Sequence, residues 1–178
     1  MNNEAIDFFK NIGNENLKKH MIAVSAIMKK LAKKFNEDEN IWEMVGLLHD
    51  IDYEIASVEE HGKISAEMLK DKLPSFALDA IRAHNEKTGF KPINRIDYSL
   101  IACDAISGLI VSTALVMPNK KISEIKIDTL KNKFKDKSFA RKIDRERIKY
   151  CEKIGLSLDE FFSISLEAMN EIAEKIGL

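Results

Sequence analysis

The sequence predicts an all-α chain, a helical bundle with additional helices at its C-terminal end. Only seven glycines and three prolines interrupt 178 residues, and the commonest residues, Lys, Glu, Ile, Leu, Ala and Met, are mostly good helix formers. Apolar residues recur at steps of three and four along most of the chain, the period of a helix with one buried face. An apolar content of 45% supplies one core of ordinary size for this length. No repeat, low-complexity tract or linker separates parts of the chain, so residues 1–178 read as a single domain.

The elements follow in order. Residues 3–12 read as a short helix stopped by Gly13, and residues 16–35 as a long one whose Leu17, Met21, Val24, Met28, Leu31 and Phe35 form a single stripe. After the polar run NEDEN, a shorter helix carries Trp42, Val45 and Leu48 and ends near His49 and Asp50. Ser57 and Glu60 have capping-box spacing and predict a helix running to about Lys72, which Pro74 closes. Residues 75–84 predict another. NEKTGFKPIN reads as a loop, and residues 96–116 as a long apolar helix, central to the fold, ending before Pro118. Residues 120–137 are ambiguous: KISEIKI alternates like a strand and TLKNKFK suits a helical turn, so the stretch is expected to be mostly irregular. Two closing helices are expected, one over 138–154 with Gly155 as its stop, the other opened by a capping box at Ser157 and Glu160 and ending at Gly177.

Composition narrows the function. The first residues carry no basic region followed by an apolar run, and no 18 consecutive apolar residues occur, so a cytoplasmic, non-membrane protein is expected. Cys103 and Cys151 stand far apart, which suits core thiols better than a disulfide framework or a cysteine zinc site. The formal net charge is −1, yet Pro118 to Tyr150 holds twelve Lys or Arg against five Asp or Glu. That basic stretch is either a solvated surface or a face that attracts an anionic substrate.

The four histidines of the chain, His20, His49, His61 and His84, form one spaced series with Asp50 and Asp104. His20 shares a stripe with Val24, Ile27 and Leu31, His49 with Val45 and Trp42, His61 with Ile64, Ser65 and Met68, and His84 with Ala77, Ala80 and Ile81. A lone inward histidine is more often a core residue bonded to a backbone acceptor, but four of them with two aspartates point to a metal site. Asp104 lies among Leu100, Ile101, Gly108 and Val111, where a bare carboxylate would cost several kcal/mol, on the order of a buried unpaired charge. It calls for a metal or an internal salt bridge to Lys or Arg. Asp50 puts negative charge at a helix C-terminus against the helix dipole, the kind of local violation that accompanies function; a loop-capping role is the alternative.

The order His, adjacent His-Asp, His, His and Asp resembles the HD superfamily of metal-dependent phosphohydrolases, in its HDIG branch. The segments GLLHDID, HGKISAEML, IRAHNE and LIACDAISGLI carry the likeness, which spans residues 16–116. Residues 118–178 would then form a basic segment and C-terminal helices packed on that metal-binding core. The resemblance implies that His20, His49, Asp50 and Asp104 hold one divalent transition metal, iron, manganese, cobalt, nickel or zinc, and that His61 and His84 add a second with Asp50 between the two. Here Ile51-Asp52 stands in place of the Ile-Gly of the HDIG branch, and Asn85 in place of the second adjacent His of the HD-GYP group; no Gly-Tyr-Pro run occurs.

The implied function is hydrolysis of a small phosphate ester or anhydride, with a nucleotide as the first expectation, by water that the metal activates. Asp50 and Asp104 are the expected catalytic carboxylates. Phosphate-binding candidates are Lys87, three residues after His84, and Lys133, Lys135, Lys137, Arg141 and Arg145 of the basic segment. Two other classes fit the same residues: a di-iron oxygenase, and a non-catalytic metal-containing regulatory or nucleic-acid-binding module. Few aromatics interleave the lysines, which disfavours single-strand stacking.

Overall fold

In the computed structural model, which describes residues 3–178 with side chains from Ile6 onward, no strand occurs among the described residues. The helices are α1 (Asn3–Lys10), α2 (Glu15–Phe35), α3 (Glu39–Leu48), α4 (Lys63–Met68), α5 (Ser75–Ala83), α6 (Arg95–Leu115), α7 (Ile127–Lys135), α8 (Arg145–Ile148), α9 (Leu158–Glu171) and α10 (Ala173–Ile176), with 3-10 turns at Glu86–Thr88, Ile122–Glu124 and Lys149–Ile154. Side-chain caps fix the long helices. Asn14 accepts from the amides of Asn16 and Leu17 to start α2, and Asp38 from those of Asn40 and Ile41 to start α3; such caps contribute roughly 1 kcal/mol each.

The α2 stripe faces the core as its spacing requires, with Met21, Val24, Ile27, Met28 and Leu31 fully buried. α2 packs most extensively against α3 and also touches α6 and α9. The middle of the molecule is α6, in contact with α2, α3, α5, α7, α8 and α9. Its Leu100, Ile106, Leu109 and Ile110 are fully buried. By length and hydropathy α6 could cross a bilayer, but most of it is buried inside the protein, so core packing accounts for its composition. Phe161, Phe162 and Met169 of α9 complete the same core.

Four expectations change. The helix proposed to open at Ser57 begins only at Lys63: the amides of Glu60 and His61 both donate to the Ser57 carbonyl in a turn, and Gly62 at φ 90 reorients the chain before α4. Residues 120–137 are largely helical, because Leu130 is buried and Phe134 stacks edge-on against Phe162 at 5.5 Å. Tertiary packing, absent from the local pattern, decides that segment. The helix expected over 138–154 forms only from Arg145. Ahead of it the chain loops, with Ala140 at φ 45, around the Arg145 guanidinium, which donates to the carbonyls of Lys133, Asp136, Phe139, Ala140 and Ile143. The capping box at Ser157 and Glu160 forms as its spacing predicts, although the final helix breaks at Ile172 before α10.

Candidate metal centre

Four helices and one turn bring the histidines and aspartates together. α2 carries His20 on its first turns, α3 ends in His49 and Asp50, the turn before α4 carries His61, α5 ends in His84, and α6 carries Asp104 at its middle. All six lie within one network, and all except His49 line a cavity of about 470 Å³. His49 is the innermost, with no exposed surface.

Asp50 is the hub. Its Oδ1 lies 3.2 Å from His49 Nε2, 3.2 Å from His61 Nε2 and 3.3 Å from His84 Nε2, while Oδ2 is 3.6 Å from His20 Nε2. His20 Nε2 is also 3.2 Å from Asp104 Oδ1. The far nitrogen of every ring is engaged elsewhere. His49 Nδ1 donates to the Gly46 carbonyl at 2.9 Å, and His84 Nδ1 to that of Ile81. His61 Nδ1 donates to Asp52 at 2.7 Å. Ser107 Oγ spends its own proton on the Asp104 carbonyl, so His20 Nδ1 is the donor in the 3.3 Å contact between them. With every Nδ1 proton engaged in this way, a bound metal would meet four Nε2 lone pairs aimed at the centre, the arrangement in which histidine ligates metal.

Electrostatics agree with the geometry. Burial drives the pKa of His49 down to about 4, which keeps its lone pair free. Burial also opposes ionisation of Asp50 and Asp104, but the surrounding histidines outweigh it, joined at Asp104 by Arg147, and hold both carboxyls below the usual range. At His61 burial disfavours the charged ring, yet bonds and charge from Asp50 and Asp52 outweigh it and lift the pKa to about 9. A site of this kind draws positive charge, and a metal ion competes with the proton for it.

A family model described as HD domain matches residues 17–112. The chain belongs to the HD domain family. No curated protein and no solved structure matches it. HD domains fall within a superfamily of metal-dependent phosphohydrolases, and the donors present fit a divalent metal. His20, His49 and Asp50 place one ligand atom each within 4.8 Å of one another, as do Asp50, His61 and His84. His49 Nε2 and Asp50 Oδ1 are buried without a hydrogen-bond partner, and His61 Nε2 and His84 Nε2 face each other at 3.1 Å. The neutral His49 Nε2 that close to a carboxylate oxygen would be satisfied by a cation between them.

The HD domain's other candidates scatter. Lys87 lies on an adjoining cavity rather than at the metal centre. Lys137, Arg141 and Arg145 line a separate surface depression, and Arg145 is held by the five carbonyls named above. Lys133 sits over the Phe139 ring at 4.4 Å, and Lys135, on the last turn of α7, lines neither cavity. The cation that does reach the centre is Arg147, two residues beyond the last one singled out. Its Nη2 donates to Asp104 Oδ2 at 2.9 Å and to the His84 carbonyl at 2.8 Å. The salt bridge considered for Asp104 thus exists alongside its contact with His20. The i,i+3,i+4 pattern gave Arg147 no distinguishing mark, because the loop and 3-10 turn around it have no helical period. Asn85 donates to the carbonyls of Val58 and His61, tying the turn that bears His61 to the end of α5.

Proposed function

We propose that the protein hydrolyses a small phosphate ester or anhydride at this centre, with a nucleotide as the favoured class of substrate. The observation that carries the reading is the convergence of four Nε2 atoms and two carboxylates beside the partly committed guanidinium of Arg147. A metal held by His20, His49, Asp50, His61, His84 and Asp104 supplies Lewis acidity toward a phosphoryl oxygen and lowers the pKa of water. The protein's own groups do the rest. Asp50 and Asp104 set the charge of the site and, as acceptors, orient the attacking water. Arg147 spends both Nη2 protons on Asp104 and His84, which leaves Nη1 to donate to a phosphate oxygen. Anchored in this way, the guanidinium loses little side-chain freedom when substrate binds.

The organic part of the substrate has room next door. A second cavity of about 380 Å³ shares His84, Asn85 and Arg147 with the metal cavity, and Phe90, Tyr150, Lys87 and Lys91 line it. Aromatic faces and ammonium groups there suit the base and further phosphates of a nucleotide. The test is phosphate release from a panel of nucleotides and simple phosphate esters by protein loaded with manganese or cobalt. Turnover that a chelator stops supports the reading. Metal binding without turnover of any phosphate ester would sink it.

A further inference from the structure

We infer that Asp52 is a positioning residue of the metal centre, one that fixes the His61 ring in the orientation and tautomer that direct Nε2 at Asp50 and His84. The inference rests on the reading of these histidines as metal ligands. His49 and His84 are oriented by their own helices: each sits at a helix C-terminus, where the carbonyl three residues back has no amide partner and accepts from Nδ1. His61 has no such carbonyl. It precedes α4, and the start of a helix presents amide donors rather than acceptors, so an acceptor has to come from elsewhere.

Asp52 provides it. The residue has no exposed surface, and each of its polar atoms has a partner. Oδ1 accepts from His61 Nδ1 at 2.7 Å. Oδ2 accepts from the amides of Gly62 at 2.8 Å and Ser65 at 2.9 Å, and its own amide donates to Ser65 Oγ at 3.2 Å. The same carboxylate therefore caps α4, whose N-cap Gly62 has no side chain to do so, and holds the ring of the residue just before it. Among the described residues no lysine or arginine pairs with it, and its ion-pair contact is His61. A carboxylate behind a ligating imidazole fixes its tautomer and raises its basicity, and losing it lowers metal affinity roughly 10- to 100-fold.

Asp52→Asn separates the two roles. Its carboxamide oxygen can still accept from Gly62 and Ser65, so α4 stays capped, but its NH₂ faces His61 Nδ1 and can only donate. His61 must then carry its proton on Nε2, the nitrogen the metal needs. In a chelator competition with zinc, Asp52→Asn is expected to stay folded without metal, with a midpoint lowered by the loss of the His61–Asp52 pair, and to bind about 10- to 100-fold more weakly. Unchanged zinc affinity in a folded Asp52→Asn protein overturns the inference, whereas failure of the unsubstituted protein to bind zinc overturns the metal reading instead. If the variant does not fold, long-range ¹H–¹⁵N NMR of the zinc-loaded, unsubstituted protein decides. The expected spectrum shows His61 ligated through Nε2 with a slowly exchanging Nδ1 proton; a proton on Nε2 refutes the role of Asp52.

Discussion

Single residues divide into those that hold charge at the centre and those that aim them. Asp50 is at the junction of both ligand triads, so Asp50→Ala is expected to lose bound metal and activity together; elemental analysis of the purified variant checks the first, and full metal content would show that the site is wrongly placed. Arg147 makes a different prediction. Removing its charge-assisted hydrogen bonds to phosphate, worth about 1.5–3 kcal/mol, should lower kcat/KM of Arg147→Ala on the order of 10- to 100-fold. Arg147→Lys should recover little, because an ammonium cannot bond Asp104, the His84 carbonyl and a phosphate in one plane. Steady-state kinetics with the best phosphate ester tests both. The proposed ligands were visible in the sequence because the histidines and Asp104 lie at helical steps from apolar neighbours and Asp50 opposes a helix dipole. Arg147 and Asp52 were not: one lies in a single helical turn, α8, too short to show a period, and the other matters through the turn onto which the backbone folds it.

At the level of elements, the site depends on how closely α3 approaches α2. Gly46 makes that approach possible, since a Cβ there would lie 2.7 Å from Ser25 Cα and 2.8 Å from Ser25 N. Gly46→Ala is expected to cost about 1–3 kcal/mol, as overpacking does, and to weaken metal binding by moving His49 away from His20; thermal denaturation and metal titration of the variant measure the two effects. Helix starts with a side-chain cap, such as Asn14 and Ser157, were legible locally. α4 was not, because its capping carboxylate, Asp52, comes from ten residues before the N-cap Gly62 rather than from the Ser57 position that carries the familiar spacing.

For the molecule as a whole, folding and metal binding should be linked. An ion present at about 100 times its dissociation constant stabilises the native state by about 2.7 kcal/mol, or roughly 5–10 °C in a chain of this size, so a chelator should lower the unfolding midpoint by that much; no shift would mean that no metal is held. The C-terminal helices belong to the same core, through Phe161, Phe162 and Met169 packed against α2 and α6. A chain cut after Val116 should therefore fail to fold cooperatively by calorimetry, although it keeps all six proposed ligands. By itself the sequence determined the helical class, the central place of α6 and the inward faces of the four histidines, since these follow from periodicity and the cost of burying charge. Only the tertiary structure decided that Arg147 reaches the centre, that the basic segment mostly does not, and that Asp52 braces His61, because each depends on contacts between residues that no local period connects.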